Sequence, residues 1–120
     1  MGKLWLGNVS DIADGQAKGF DPNHSGSDTF FIVRQGNELF AYVDICPHYN
    51  DTSLPWKRHH SLDSASDYIV CAAHGALFEI NNGDCVQGPC KGQKLSKIPL
   101  EVSSQQEIWI SLTTIKEFNL

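Results

Sequence analysis

The sequence predicts an all-β chain, a small antiparallel sandwich or barrel, and three observations carry that prediction. Short aromatic and β-branched runs recur along the chain. Ten glycines and five prolines punctuate those runs at close intervals. No window of a dozen residues carries an amphipathic helical stripe, and residues 61–67 are too polar to hold a helix by packing. Short strands separated by frequent turns bury their apolar faces best as packed antiparallel sheets.

Taken in chain order, Phe30-Phe31-Ile32-Val33-Arg34 is the first strong strand signal. Gln35-Gly36-Asn37 breaks it, and Leu39-Phe40-Ala41-Tyr42-Val43-Asp44-Ile45 follows, which reads as a hairpin around a glycine-containing turn. Tyr68-Ile69-Val70-Cys71 and Ala76-Leu77-Phe78-Glu79-Ile80 form the next two strands. Asn81-Asn82-Gly83-Asp84 then turns the chain into Cys85-Val86. Residues 95–102 read as one further strand, and Ser103-Ser104-Gln105-Gln106 as the turn after it. In the last strand Ile108, Ile110 and Leu112 alternate against Glu107, Trp109 and Ser111, the period of a half-buried edge.

The 120 residues make one domain spanning 1–120. Lys and Arg number 9 against 14 Asp and Glu, a formal charge of -5. That acidic balance excludes nucleic-acid binding, which needs a basic footprint, and suits a partner with a basic docking patch. No apolar run approaches the roughly 20 residues that span a bilayer. Met1-Gly2-Lys3-Leu4-Trp5-Leu6-Gly7-Asn8 turns polar too soon for a signal-peptide core. The expectation is a soluble cytoplasmic protein with no membrane partner, whose thiols stay reduced unless a metal holds them.

Chemistry concentrates in two boxes. Cys46-Pro47-His48 closes the second strand of the hairpin, and Cys71-Ala72-Ala73-His74-Gly75 closes the strand that begins at Tyr68. In extended backbone, residues i and i+2 face one side, so Cys46 and His48 point together across the stiff Pro47. Cys71 and His74 have the spacing of a turn leaving a strand. The two loops together offer two thiolates and two imidazoles. Zinc accepts such a set in a tetrahedron. A [2Fe–2S] cluster with two thiolates on one iron and two imidazoles on the other accepts it too. Zinc fingers usually pair like with like along the chain, whereas here each loop gives one Cys and one His, an order that suits two irons.

These boxes resemble those of the small stand-alone Rieske [2Fe–2S] ferredoxins. The second box continues as Ala76-Leu77-Phe78, and Asn82-Gly83-Asp84-Cys85-Val86-Gln87-Gly88-Pro89 is similar to the family's glycine–cysteine–glycine–proline stretch, whose proline loop covers the cluster. The resemblance implies a cluster-binding subdomain at about residues 44–91, inserted in a base sandwich. It implies one [2Fe–2S] cluster, with Cys46 and Cys71 on the inner iron and His48 and His74 on the outer one. It also implies one-electron transfer from a reductase to an acceptor such as an oxygenase, and not an enzyme in its own right. High-potential members carry Ser and Tyr in the second box, where their hydroxyls donate to the cluster, and an extra cysteine in each box. Here the matching residues are Ala76 and Phe78, and Tyr49, Asn50, Asp51 and Ala73 supply no cysteine. A low potential follows.

The remaining candidates read as ordinary structure. Cys85 and Cys90 are small buried hydrophobes. His59 and His60 belong to a polar surface insertion, and His24 to a solvated loop. Three other functions stand beside electron carriage: a zinc-stabilised interaction module, a redox sensor, and a small subunit of a larger oxidoreductase such as a nitrite reductase.

Overall fold

The computed structural model describes residues 2–24, 26, 28–44, 68–71, 76–88, 92 and 94–120, with Cys71 and Ala76 described by backbone alone. Among these residues ten strands form three antiparallel sheets. The first sheet has the order β1-β10-β9, with β1 at Lys3–Asn8, β10 at Glu107–Ser111 and β9 at Glu101–Val102. The second is β2-β3-β4-β8, built from Ala17–Phe20, Phe30–Gln35, Glu38–Val43 and Lys97–Ile98. The third is β5-β6-β7, from Tyr68–Cys71, Ala76–Glu79 and Cys85–Gln87.

The second sheet lies in the middle and is covered on both faces. That is why Phe30-Phe31-Ile32-Val33 reads as an unbroken apolar run: all four are buried. Phe30 and Ile32 join Ala41, Val43 and Ile98 against Ile108 and Ile110 of β10. Phe31, Val33 and Tyr42 face the other way, onto Ile69, Phe78 and Cys85 of the third sheet and onto Ile80 just after β6. The β3–β4 hairpin holds full register from Phe30↔Val43 to Gln35↔Glu38. Its two-residue turn starts at Gly36, whose φ of 61° suits a residue without Cβ.

The structure alters the predicted element list in four places. Residues 95–102 are not one strand but two, split by Pro99. Pro99 has no N–H to give a ladder, so the chain crosses there from the edge of the second sheet to the edge of the first. β10 is the central strand of its sheet rather than an edge. Its alternation reports one covered face: Ile108 and Ile110 are buried while Trp109 pairs with Trp5 on the outer side, where Trp5 is 50% exposed. Leu112 leaves the strand and opens a short helix, α1 (Leu112–Phe118), which sequence periodicity did not predict. Ser111 caps it by accepting from the Thr113 amide at 3.2 Å, and Asn119 ends it in the left-handed region. Finally, β1 and β2 precede the first predicted strand; β1 sets Leu4 and Leu6 on the core with Lys3 and Trp5 outward.

One polar group is buried in the layer between the second and third sheets. The Tyr42 hydroxyl donates to the Ile80 carbonyl at 2.6 Å. Burial, and then the Asp84 carboxylate, push its pKa from 10.0 up to about 12. An unfolded Tyr42 loses its proton near 10 while the folded one keeps it. Between those values the folded state therefore binds more protons, and stability falls as pH rises. Chemical denaturation from pH 9 to 12 should show a loss of about 2–3 kcal/mol from this group. Tyr42→Phe should be less stable at pH 9 but lack that share of the alkaline slope; an unchanged slope in the variant would contradict the assignment.

Candidate functional site

The third sheet carries the second chemical box. Tyr68↔Glu79, Ile69↔Phe78, Val70↔Leu77 and Cys71↔Ala76 pair in continuous register. Cys71 is thus the last residue of β5, and the chain needs only residues 72–75 to return to β6 at Ala76. The row Ile69, Phe78, Cys85 runs across the sheet and is buried against the central sheet, with Phe78 fully buried at 0% exposure.

β7 is antiparallel to β6, so it runs towards the end of the sheet where Cys71 lies. Leu77 pairs with Gln87 and Phe78 with Cys85, which leaves Val86 as an extra, bulged residue. Gly88 follows with φ 104°. Gly88 therefore lies at the Cys71–Ala76 end of the sheet.

The far end of the sheet is a tight turn tied to the base. Gly83 donates its amide to Glu79 at 2.8 Å and accepts from Leu95 at 2.9 Å. The Asn82 side chain accepts from the Asp84 amide at 2.9 Å. Gly83 has φ 75°, and a Cβ there would lie 2.8 Å from Cε1 of Tyr42. Both its conformation and its contact with that ring require glycine.

The first box follows β4. Asp44 is buried just after the strand, its amide donating to the Thr29 carbonyl at 2.9 Å. Cys46, His48 and His74 lie outside the described residues, as do His59, His60 and Cys90. Among the described residues no group of three or more His, Cys, Asp or Glu side chains forms a metal-binding cluster. Of the predicted quartet the structure thus places the backbone of Cys71 at a strand end beside a four-residue return. The donor chemistry of the quartet, two thiols and two imidazoles, fits a [2Fe–2S] cluster of the kind the resemblance implies.

The other sequence readings can be placed. Cys85 is 6% exposed and its thiol donates to the Gln87 carbonyl at 3.3 Å, a packing role within the core. His24 is an exposed loop residue. Among the described residues no helix is long and apolar enough to cross a membrane.

Comparison with known proteins gives a consistent result. The chain matches the family described as Rieske [2Fe-2S] domain over residues 2–113. No curated protein matches it. Among solved structures it is similar to the ferredoxin of carbazole 1,9a-dioxygenase from Nocardioides aromaticivorans IC177, with TM-score 0.68 and 20% identity, covering 92% of this chain and 98% of that one. It is similar to a ferredoxin in a complex of reduced oxygenase and oxidized ferredoxin of carbazole 1,9a-dioxygenase (TM-score 0.68, 23% identity, 91% of this chain and 92% of that one). A putative NADH-dependent nitrite reductase small subunit from Mycobacterium tuberculosis also matches, with TM-score 0.62 and 12% identity over 91% and 93% of the two chains. At these identities the likeness is one of fold, and that fold is the antiparallel architecture described above.

The packing role of Cys85 yields a prediction. Cys85→Ala should keep the full metal content of the wild type and cost about 1–2 kcal/mol in denaturation, as a small core truncation does. Loss of metal without loss of stability would instead make Cys85 a ligand.

Proposed function

Because the chain belongs to the Rieske [2Fe-2S] domain family, we propose that it is a one-electron carrier between a reductase and a terminal acceptor such as an oxygenase. The observation that carries this reading is the family match, which takes in nearly the whole chain, together with the two Cys/His boxes that lie within it. The carbazole dioxygenase ferredoxins, one of them in complex with its oxygenase, support the choice of partner.

In this reading residues 44–91 form the cluster-binding subdomain, and the remainder is the base that holds it. Cys46 and Cys71 would hold one iron through sulfur, and His48 and His74 would hold the other through nitrogen. The bound cluster supplies reversible one-electron chemistry. The protein's own residues set how readily it takes the electron. Two imidazoles in place of two thiolates remove two negative charges and raise the potential into the range of about −150 to +300 mV.

Within that range, side chains that donate hydrogen bonds to the cluster raise the potential further. The second box offers none: Ala76 and Phe78 have no polar hydrogen, and the Phe78 ring is sealed in the core. The reading therefore places the carrier at the low end. It also places it in the cytoplasm, where thiols outside the cluster stay reduced.

The nitrite reductase small subunit among the structural neighbours favours a second reading, a dedicated subunit of a larger oxidoreductase. Such relatives typically lack the ligands, whereas this chain carries all four, which favours the carrier.

Two measurements test the proposal. Anaerobically purified protein should contain two irons and two acid-labile sulfides per chain (the composition of one such cluster), and His48→Ala or His74→Ala should lose them; zinc without iron would make the boxes a structural zinc site. A redox titration should give a midpoint at the low end of the family range, near or below the hydrogen electrode. A value well above it would mean that donors other than the Ala76 and Phe78 side chains act on the cluster.

A further inference from the structure

We propose that Tyr42 is a positioning residue for the cluster, whose hydroxyl fixes the hairpin of the second ligand box to the strand that leads into the first. The inference rests on the electron-carrier reading and adds to it a residue that neither box contains. Tyr42 lies in β4, four positions before Cys46 in the chain. Ile80 follows β6, the strand that pairs with β5 and so with Cys71. The 2.6 Å hydrogen bond from the Tyr42 hydroxyl to the Ile80 carbonyl therefore joins the two branches that carry the ligands.

The tyrosine is held from several sides. Its ring lies 6.0 Å from that of Phe31, tilted by 42°. Its edge lies against Gly83, where a Cβ would come within 2.8 Å. It is fully buried and belongs to the cluster of Ile69, Phe78, Cys85 and Leu95. Those apolar contacts resist separation of the two sheets but tolerate small slides, because hydrophobic attraction has no direction. A hydrogen bond is short and directional, and a buried carbonyl that loses its donor finds no water to replace it. The hydroxyl thus sets the height of the hairpin along β4. A pair of ligand loops shifted against each other would strain the geometry of both irons.

Phenylalanine at this site keeps the ring and its packing and removes only the donor. In the iron-loaded protein, Tyr42→Phe should release the cluster to a chelator roughly five- to a hundredfold faster, the range expected for one orphaned buried carbonyl. The electron-spin g values of its reduced form and its midpoint should also move. Gly83→Ala, which presses on the same ring without touching the hydroxyl, should change the same readouts in the same sense. Ile110→Val, in the layer between the other two sheets, is the control: it should lower Tm and leave g values and midpoint at wild-type values.

If Tyr42→Phe and Gly83→Ala lower Tm but keep wild-type g values and midpoint, as Ile110→Val does, then Tyr42 is a core residue and nothing more. If g values and midpoint move in both variants while Ile110→Val leaves them unchanged, the positioning role stands. Wild-type protein without iron and sulfide would overturn the carrier reading itself, and this inference with it.

Discussion

β3 and β4 have to bury both of their faces, and the arrangement of the other strands follows from that demand. Four consecutive large side chains, Phe30 to Val33, cannot all turn inward in a two-layer sandwich, since alternate residues of a strand point to opposite faces. A second cover is needed. The first sheet supplies one through Ile108 and Ile110, and the β5-β6-β7 hairpin supplies the other through Ile69, Phe78 and Ile80. The branch that carries the second Cys/His box is thus no appendage. It is half of the packing around the central sheet.

Magnitudes separate what holds that branch from what sets its place. A fully buried Phe, Ile or Leu contributes about 1.5–3 kcal/mol, and several of them meet between the second and third sheets. One buried hydrogen bond contributes about 1 kcal/mol net. Affinity between the sheets is therefore apolar. Register is another matter, because an apolar layer has many nearly equal slides. Among the described residues, directional contacts here include the Tyr42 hydroxyl on the Ile80 carbonyl and the backbone bond from Leu95 to Gly83 beside the Asp84↔Lys94 bridge. Both act at the turn farthest from Cys71, so the Cys71 end is held at a distance by a stiff hairpin.

Much of this was legible in the sequence. The run at Phe30 announced a strand and the glycine turn at Gly36 its hairpin partner, while the cover on both faces emerged only from the packing. The two Cys/His boxes announced the chemistry and the family. What escaped shares a physical cause: short elements whose stability is tertiary. α1 spans only two turns, with Ile115 and Phe118 as its core contacts, too few to make a stripe. β2 contains Lys18 and Gly19, neither a strand former, and is held by its ladder to β3. The strand at 95–102 was misread because an apolar pattern continues across Pro99 while the pairing partner changes. Tyr42 offered no sign of its role, since a tyrosine in an aromatic strand looks like any other core residue until its hydroxyl partner is known.

The same layering bears on electron transfer. A carrier should change little in shape between its two oxidation states, so the ligand loops need a frame that does not relax when charge is added. The hairpin meets this need in two ways. Its inner row of Ile69, Phe78 and Cys85 is sealed against the central sheet, so no water enters to solvate an added charge from that side. Its β7 strand bulges at Val86, which pins its register on β6, and leaves at Gly88 on the side where β5 ends at Cys71. Apolar backing on the central-sheet side supplies no solvent to meet a change of charge. A frame packed in this way keeps its shape whichever charge the cluster carries, because its contacts are apolar and do not depend on that charge.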